Sequence, residues 1–169
     1  MRCLICLMLL AVLALPSPAF AACEGKFAAR AKYAGNYPDG FLRDAAIKSR
    51  IQTLLGPAMR RFLESLQVSG PVALIDCELT VEGNAPHEGG IQNAILSFNL
   101  SNGAMTAGLL DHGRVTIVTS EVSATKPSNY SYLPAHVRDW AFVAINGFRA
   151  RGTPPAGIIV LPSKQAVPR

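Results

Sequence analysis

Histidine is the side chain whose unperturbed charge changes close to neutral pH, and this 169-residue chain holds three, His87, His112 and His136. The most isolated, His87, lies in the polar stretch Glu82-Gly83-Asn84-Ala85-Pro86-His87-Glu88-Gly89-Gly90, between two β-prone runs. Its glycines and proline describe a protruding turn, because Pro86 locks its own φ and biases Ala85 toward extended backbone. That puts His87 at the tip. On residue type alone it reads as a solvated surface histidine. Asp76, Glu78, Glu82 and Glu88 are expected to put negative charge around the loop. Catalysis is not expected: the chain has no His-Glu-x-x-His helix, Gly-x-Ser-x-Gly elbow or phosphate loop. No catalytic residue, metal or cofactor is therefore assigned.

The elements that must position this loop follow from periodicity. After the turn-like tetrad Tyr37-Pro38-Asp39-Gly40, Ile47, Ile51, Leu54 and Leu55 form one apolar helix face, with Asp44 placed as its N-cap. Gly56-Pro57 ends that helix and gives a second one a proline in its first turn. Met59, Phe62, Leu63 and Leu66 make its buried stripe. Lys48, Arg50, Arg60 and Arg61 fall off both stripes and read as a solvated basic face. After Ser69-Gly70-Pro71 the period becomes strand-like. Val72–Ile75 and Leu79–Val81 come first; Ala94, Leu96, Phe98 and Leu100 then alternate with Ile95, Ser97 and Asn99; Met105, Ala107 and Leu109, and finally Val115–Thr119, follow. Asn102-Gly103 reads as a two-residue hairpin turn with positive φ at both residues, and Asp111-His112-Gly113 as the next reversal. A third helix opens at Pro134, carries Val137, Trp140, Ala141 and Ile145 on one face, and ends at Gly147 or Gly152 before Thr153-Pro154-Pro155. Ile158–Leu161 reads as an edge strand. The expected fold class is α+β: an antiparallel β-sheet meander of four or five strands packed with two N-terminal helices and one C-terminal helix.

Behind Arg2, an unbroken apolar run from Leu4 to Leu15 leads to Pro16-Ser17-Pro18 and then Ala19-Phe20-Ala21, the pattern of a secretory signal cut after Ala21. The run is well short of the ~20 residues of a spanning helix. Phe20-Ala21-Ala22 lacks the leucine that lipidation at Cys23 would call for. The chain thus divides into a signal peptide (1–21), an N-terminal arm (22–36), one α+β domain (37–161) and a flexible tail (162–169), with a periplasmic or secreted destination. Cys3 and Cys6 leave with the signal. Cys23 and Cys77 remain, either as one disulfide tying the arm to the start of the sheet or as two unpaired thiols. The net charge of +5 includes Arg2 and is spread without the dense Lys/Arg runs of a nucleic-acid binder. A protein partner is expected, and a homodimer is left open.

The stretch Ala85-Pro86-His87-Glu88-Gly89-Gly90-Ile91-Gln92, followed by an alternating strand, Ser101-Asn102-Gly103, Met105-Thr106 and a third strand, resembles the Ivy family, inhibitors of vertebrate (c-type) lysozyme. Phe41-Leu42-Arg43-Asp44 with Leu54-Leu55-Gly56, and Leu133-Pro134 with Val137-Arg138 and Trp140, are similar to helix patterns of its more distant exported relatives. The resemblance covers most of Phe41 to Arg151 and is sharpest at the loop and the strand after it. It implies an Ivy-like domain over 37–161 and a loop reading Cys, any residue, Pro, His, an acidic or other residue, Cys. In the family a disulfide closes that loop, and the histidine enters the lysozyme cleft between the two catalytic carboxylates. Pro86 and His87 match by position and Glu88 follows, but Asn84 and Gly89 stand where the family has its cysteines. Asn84, Ala85, Pro86, His87, Glu88 and Gly89 are then an uncrosslinked partner-binding loop, short of the preorganisation that lowers the cost of docking. Lysozyme of the c-type is the implied partner. The missing cysteines support a second expectation, an envelope protein of the same fold that binds a different partner, such as a bacterial glycan-cleaving enzyme.

Overall fold

The computed structural model describes residues 23–121, 132–150 and 157–162. The expected signal sequence, the Thr153-Pro154-Pro155 stop and all but the first residue of the expected tail lie outside them. One carboxylate organises the helical half. Asp44 Oδ1 accepts from the backbone N–H of Ala46 at 3.0 Å and of Ile47 at 3.2 Å, capping α2 (Ala45–Leu55) as its position predicts. Burial pushes the Asp44 pKa up, but the Ile47 N–H, the Tyr33 hydroxyl and the Arg30 guanidinium outweigh it and hold the pKa below the ordinary value. Ile47, Ile51, Leu54 and Leu55 are all buried. Gly56-Pro57 forms a short 3-10 turn leading into α3 (Met59–Glu64).

Two expectations in this half need correction. The tetrad Tyr37-Pro38-Asp39-Gly40 is not a turn: Pro38 precedes a short helix, α1 (Asp39–Arg43), which carries Phe41 fully into the core. Arg50 does not belong to a solvated face with Lys48, Arg60 and Arg61. Its guanidinium lies 4.7 Å from the Phe27 ring centroid and donates to the Gly103 carbonyl at 3.1 Å, so its planar cation closes the gap between arm and sheet.

The sheet has seven strands among the described residues: β1 (Val68–Ser69), β2 (Ala73–Ile75), β3 (Glu78–Asn84), β4 (Gln92–Asn99), β5 (Met105–Asp111), β6 (Arg114–Thr119) and β7 (Gly157–Pro162). β3 to β6 form the expected antiparallel meander. β1 and β2 both pair with β3, separated by Gly70-Pro71-Val72. There Val72 turns into the core, and its N–H and C=O pair with Asn36 O and Gly35 N, each at 2.8 Å. After β6 the chain crosses through α4 (Ala135–Ala150) and returns as β7, which is parallel to β6. A parallel neighbour requires such a crossover. α4 runs past Gly147 and ends at Ala150.

The hairpin signals trade places. Ile75 pairs with Glu78 and Asp111 with Arg114, leaving two-residue turns whose central residues all have positive φ: Asp76 (48°) and Cys77 (62°), His112 (47°) and Gly113 (87°). Asn102-Gly103 is not such a turn, since only Gly103 has positive φ. The cause is Leu100. It is fully buried, its N–H donates to Cys77 O, and its carbonyl accepts from Phe27 N–H. The connection therefore widens, with Asn99 Oδ1 accepting from the N–H groups of Ser101 and Asn102.

Side chains alternate between the faces of a strand, and here both faces are covered. Leu79, Val81, Leu96, Phe98 and Met105 share one core with Phe41, Ile51 and Phe62 from the N-terminal helices. Ile95, Leu110, Val115 and Ile117 share the other with Val137, Trp140, Ala141 and Ile145 of α4. The fold is α+β, with the sheet as the middle layer. No helix among the described residues is long and apolar enough to cross a membrane.

Candidate functional site

Residues 85–91 connect β3 to β4 and project beyond the sheet. Ala85 N–H donates to Gln92 O at 3.0 Å across the neck, and Glu88 N–H donates to Ala85 O at 3.1 Å, closing the turn Ala85-Pro86-His87-Glu88. Ile91 and Gln92 donate to Glu88 O at 2.9 and 3.0 Å and bring the chain back. Pro86 supplies the preset φ of the turn's second position. His87 takes the third at φ 62°, a left-handed conformation that favours glycine or asparagine and costs other residues roughly 1–2 kcal/mol. Ala85 is buried and anchors the turn, Glu88 is half-buried, and Pro86, His87 and Gly89 are exposed. The His87 side chain has no hydrogen bond or ion pair among the described residues. At the base, Asn84 Nδ2 donates to Ala85 O at 3.0 Å and lies 3.9 Å from where a Cβ on Gly89 would sit. The two ends of the loop therefore face each other. His112 N–H donates to Ile91 O at 3.0 Å, a support from the β5–β6 turn that no local signal announces.

The expected ring of negative charge is not there. Glu78 pairs with Asn99 and Asn84 with Asn93, so Glu78 and Asp76 lie at the far end of β3, roughly 20 Å from the loop at ~3.4 Å per residue. Only Glu82 and Glu88 belong to the loop end. Glu78 is occupied elsewhere: Ser97 Oγ–H donates to it, and His136 Nε2 lies 3.4 Å away. His136 and Thr80 share a hydrogen bond of 3.0 Å.

Burial lowers the pKa of His136, and the negative charges of Glu78, Asp76 and Asp139 only partly counter it. The unfolded chain, with an ordinary histidine pKa of about 6.5, then binds the proton more readily than the folded one. The stability contributed by neutral His136 is complete above that value and is lost as pH falls through the lower folded pKa. We expect the thermal midpoint to drop on acidification below about pH 6.5, and His136→Gln to flatten that drop; equal slopes in the two proteins would overturn the assignment.

Cys23 and Cys77 are joined as a disulfide with Cα atoms 5.4 Å apart. It ties the N-terminal arm to the β2–β3 turn, at the opposite end of β3 from the loop. With that Sγ engaged, Cys23 has no sulfur to offer a lipid thioether. Sequence reasoning passed over the face of β3 beside α4, where Thr80, Glu82 and Asn84 meet Asn93 and His136; single polar residues at alternating strand positions carry no motif.

A family model described as Inhibitor of vertebrate lysozyme (Ivy) matches residues 46–144, a span that includes the whole of β1 to β6 and the projecting loop. No match was found among curated proteins or among solved structures.

Proposed function

The chain belongs to the Ivy family, inhibitors of vertebrate lysozyme, and on that premise we propose that it is an exported inhibitor whose Pro86-His87 turn plugs the active-site cleft of a c-type lysozyme. The observation that carries this reading is the turn itself. An exposed imidazole without a partner stands at its third position on strained left-handed backbone, and strain of that kind persists where the surroundings over-determine it and collects at functional sites. Entering a cleft between a protonated and an ionised carboxyl group, the ring would donate to one and accept from or donate to the other. The loop has no cross-link, but four backbone hydrogen bonds and the strut from His112 limit the freedom it has left to lose on docking. The positive net charge opposes encounter with a basic lysozyme, so affinity has to come from the contact made in the cleft.

The test is lysozyme activity against cell walls, titrated with the mature protein. Wild type should inhibit, and His87→Gly should weaken inhibition roughly 30- to 1000-fold, the range of a single dominant contact of ~2–4 kcal/mol. Glycine relieves the left-handed strain, so the thermal midpoint should hold or rise. A fall in midpoint with inhibition retained would make His87 structural. Asn84→Cys with Gly89→Cys should close the loop and tighten binding. If wild type does not inhibit and the oxidised pair adds nothing, the partner is another one, such as a bacterial glycan-cleaving enzyme.

The export half of the proposal rests on residues 1–21. Mass spectrometry of the exported protein should find a chain beginning at Ala22 with Cys23 free of lipid; a retained N-terminus or a diacylglyceryl group would sink it.

A further inference from the structure

The backbone hydrogen bonds inside residues 85–92 set the shape of the His87 loop, but they join the loop to itself. Gly89-Gly90 leaves the returning limb with little intrinsic stiffness. A bond from His112 N–H to Ile91 O at 3.0 Å ties that limb to another element. Where this N–H points depends on the β5–β6 turn, in which His112 and Gly113 both take positive φ, 47° and 87°.

Behind that turn stands Asp111, the last residue of β5, paired with Gln92 where the loop re-enters the sheet. Its Oδ1 accepts from Arg61 Nη2 at 2.5 Å and lies 2.7 Å from His112 Nδ1, so the ring nitrogen facing the carboxylate carries the proton. Arg61 and Asp111 are 50 residues apart, and neither α3 nor the β5–β6 hairpin needs this contact in order to form. The arginine itself is well seated. Met59 and Phe62 bury the other side of α3, and the fully buried Ser65 donates to Arg61 O through both its N–H and its Oγ–H, each at 3.0 Å. A connected path thus runs from the helical core through Arg61, Asp111 and His112 to Ile91. The side chains of Arg61 and Asp111 are 49% and 30% exposed, and an ion pair so open to water adds little to overall stability.

On the reading of the His87 turn as a plug, we propose that Arg61 and Asp111 are its positioning residues, fixing the β5–β6 turn so that His112 N–H restrains the returning limb before a partner arrives. Neither residue has to touch the lysozyme. They act on affinity through the freedom the loop no longer has to lose on docking. A bridge between positions 84 and 89 restrains the same limb from the other side of Gly90, so the network and such a bridge substitute for one another.

The experiment compares the mature protein with Arg61→Met, which keeps the packing stem and removes the cation, with Asp111→Ala, and with the two combined. Amide hydrogen exchange followed by NMR needs no lysozyme: Glu88, Ile91 and Gln92 should exchange at least roughly fivefold faster in each variant, with Leu96 and Phe98 unchanged and the thermal midpoint lower by no more than about 3 °C. Lysozyme inhibition should weaken roughly three- to tenfold in each, and the double variant should be no weaker than the worse single one, since both act through one carboxylate. In the oxidised Asn84→Cys, Gly89→Cys background, Arg61→Met should then cost less than about twofold. An equal loss there would put Arg61 in direct contact with the partner and overturn the proposal. So would unchanged exchange at the loop, or a fall in midpoint with faster exchange at Leu96 and Phe98, which would make the pair structural. Wild type that fails to inhibit lysozyme sinks the plug reading instead, and the exchange rates still decide whether Arg61 and Asp111 order the loop.

Discussion

Trp140→Ala is expected to lower the stability of the domain by ~3–5 kcal/mol, the cost of emptying a large aromatic site in a packed core. The side chain is 6% exposed and belongs to the core made by α4 with β4, β5 and β6. It fits because the strand beneath it has no side chain at one position. A Cβ on Gly108 would stand 2.5 Å from Trp140 Cζ3 and 2.8 Å from Ile95 Cγ2, closer than Cβ atoms approach neighbours. The converse substitution, Gly108→Ala, should therefore destabilise by overpacking, on the order of 1–3 kcal/mol. Urea unfolding followed by far-UV circular dichroism measures both, and wild-type Trp140 fluorescence should be blue-shifted until the same transition. Two variants as stable as wild type would mean that α4 does not rest on the sheet through this contact.

Opening the Cys23–Cys77 disulfide should cost about 4 kcal/mol, since the bridge closes a separation of 54 residues and restricts the unfolded chain accordingly. The arm it holds is part of the core. Phe27 packs edge-on against Phe98 at 5.2 Å between ring centroids, lies under the Arg50 cation, and hydrogen-bonds Leu100 through its backbone. Unfolding midpoints with and without reductant, and for the double variant Cys23→Ala with Cys77→Ala, give the measurement; coincident curves would refute it. Because the bridge and the His87 turn sit at opposite ends of β3, any lysozyme inhibition by the folded fraction should survive reduction.

The helices were legible because their information is local. Asp44 caps where its position says it should, and the stripes Ile47, Ile51, Leu54, Leu55 and Val137, Trp140, Ala141, Ile145 are buried as their spacing requires. The alternation of β4 located the sheet but not its two-sidedness: Ile95 and Ser97 are as buried as Leu96 and Phe98, and a strand covered on both faces looks half-polar when one cover meets a Ser97–Glu78 pair. The turns misled most. Asn102-Gly103 has the strongest intrinsic preference for a tight reversal, yet burial of Leu100 takes the chain elsewhere, while Asp76-Cys77 accepts left-handed backbone with no glycine at all. In both places tertiary contacts outweigh a local preference of a kilocalorie or two per mole. At the candidate site the Pro86-His87 turn could be read from residue types, whereas the support from His112 and the polar face of β3 beside α4 depend on strands distant in sequence.

The break between β1 and β2 bears on how the molecule behaves in a crowd. An unpaired sheet edge is a template on which other chains can stack, and this one offers only the two residues of β1 and the three of β2. Between them Pro71 has no N–H to give, and both backbone groups of Val72 are already taken by Gly35 and Asn36. A neighbouring strand thus meets no continuous ladder along this border, and growth of fibrils from this side is cut short at high concentration.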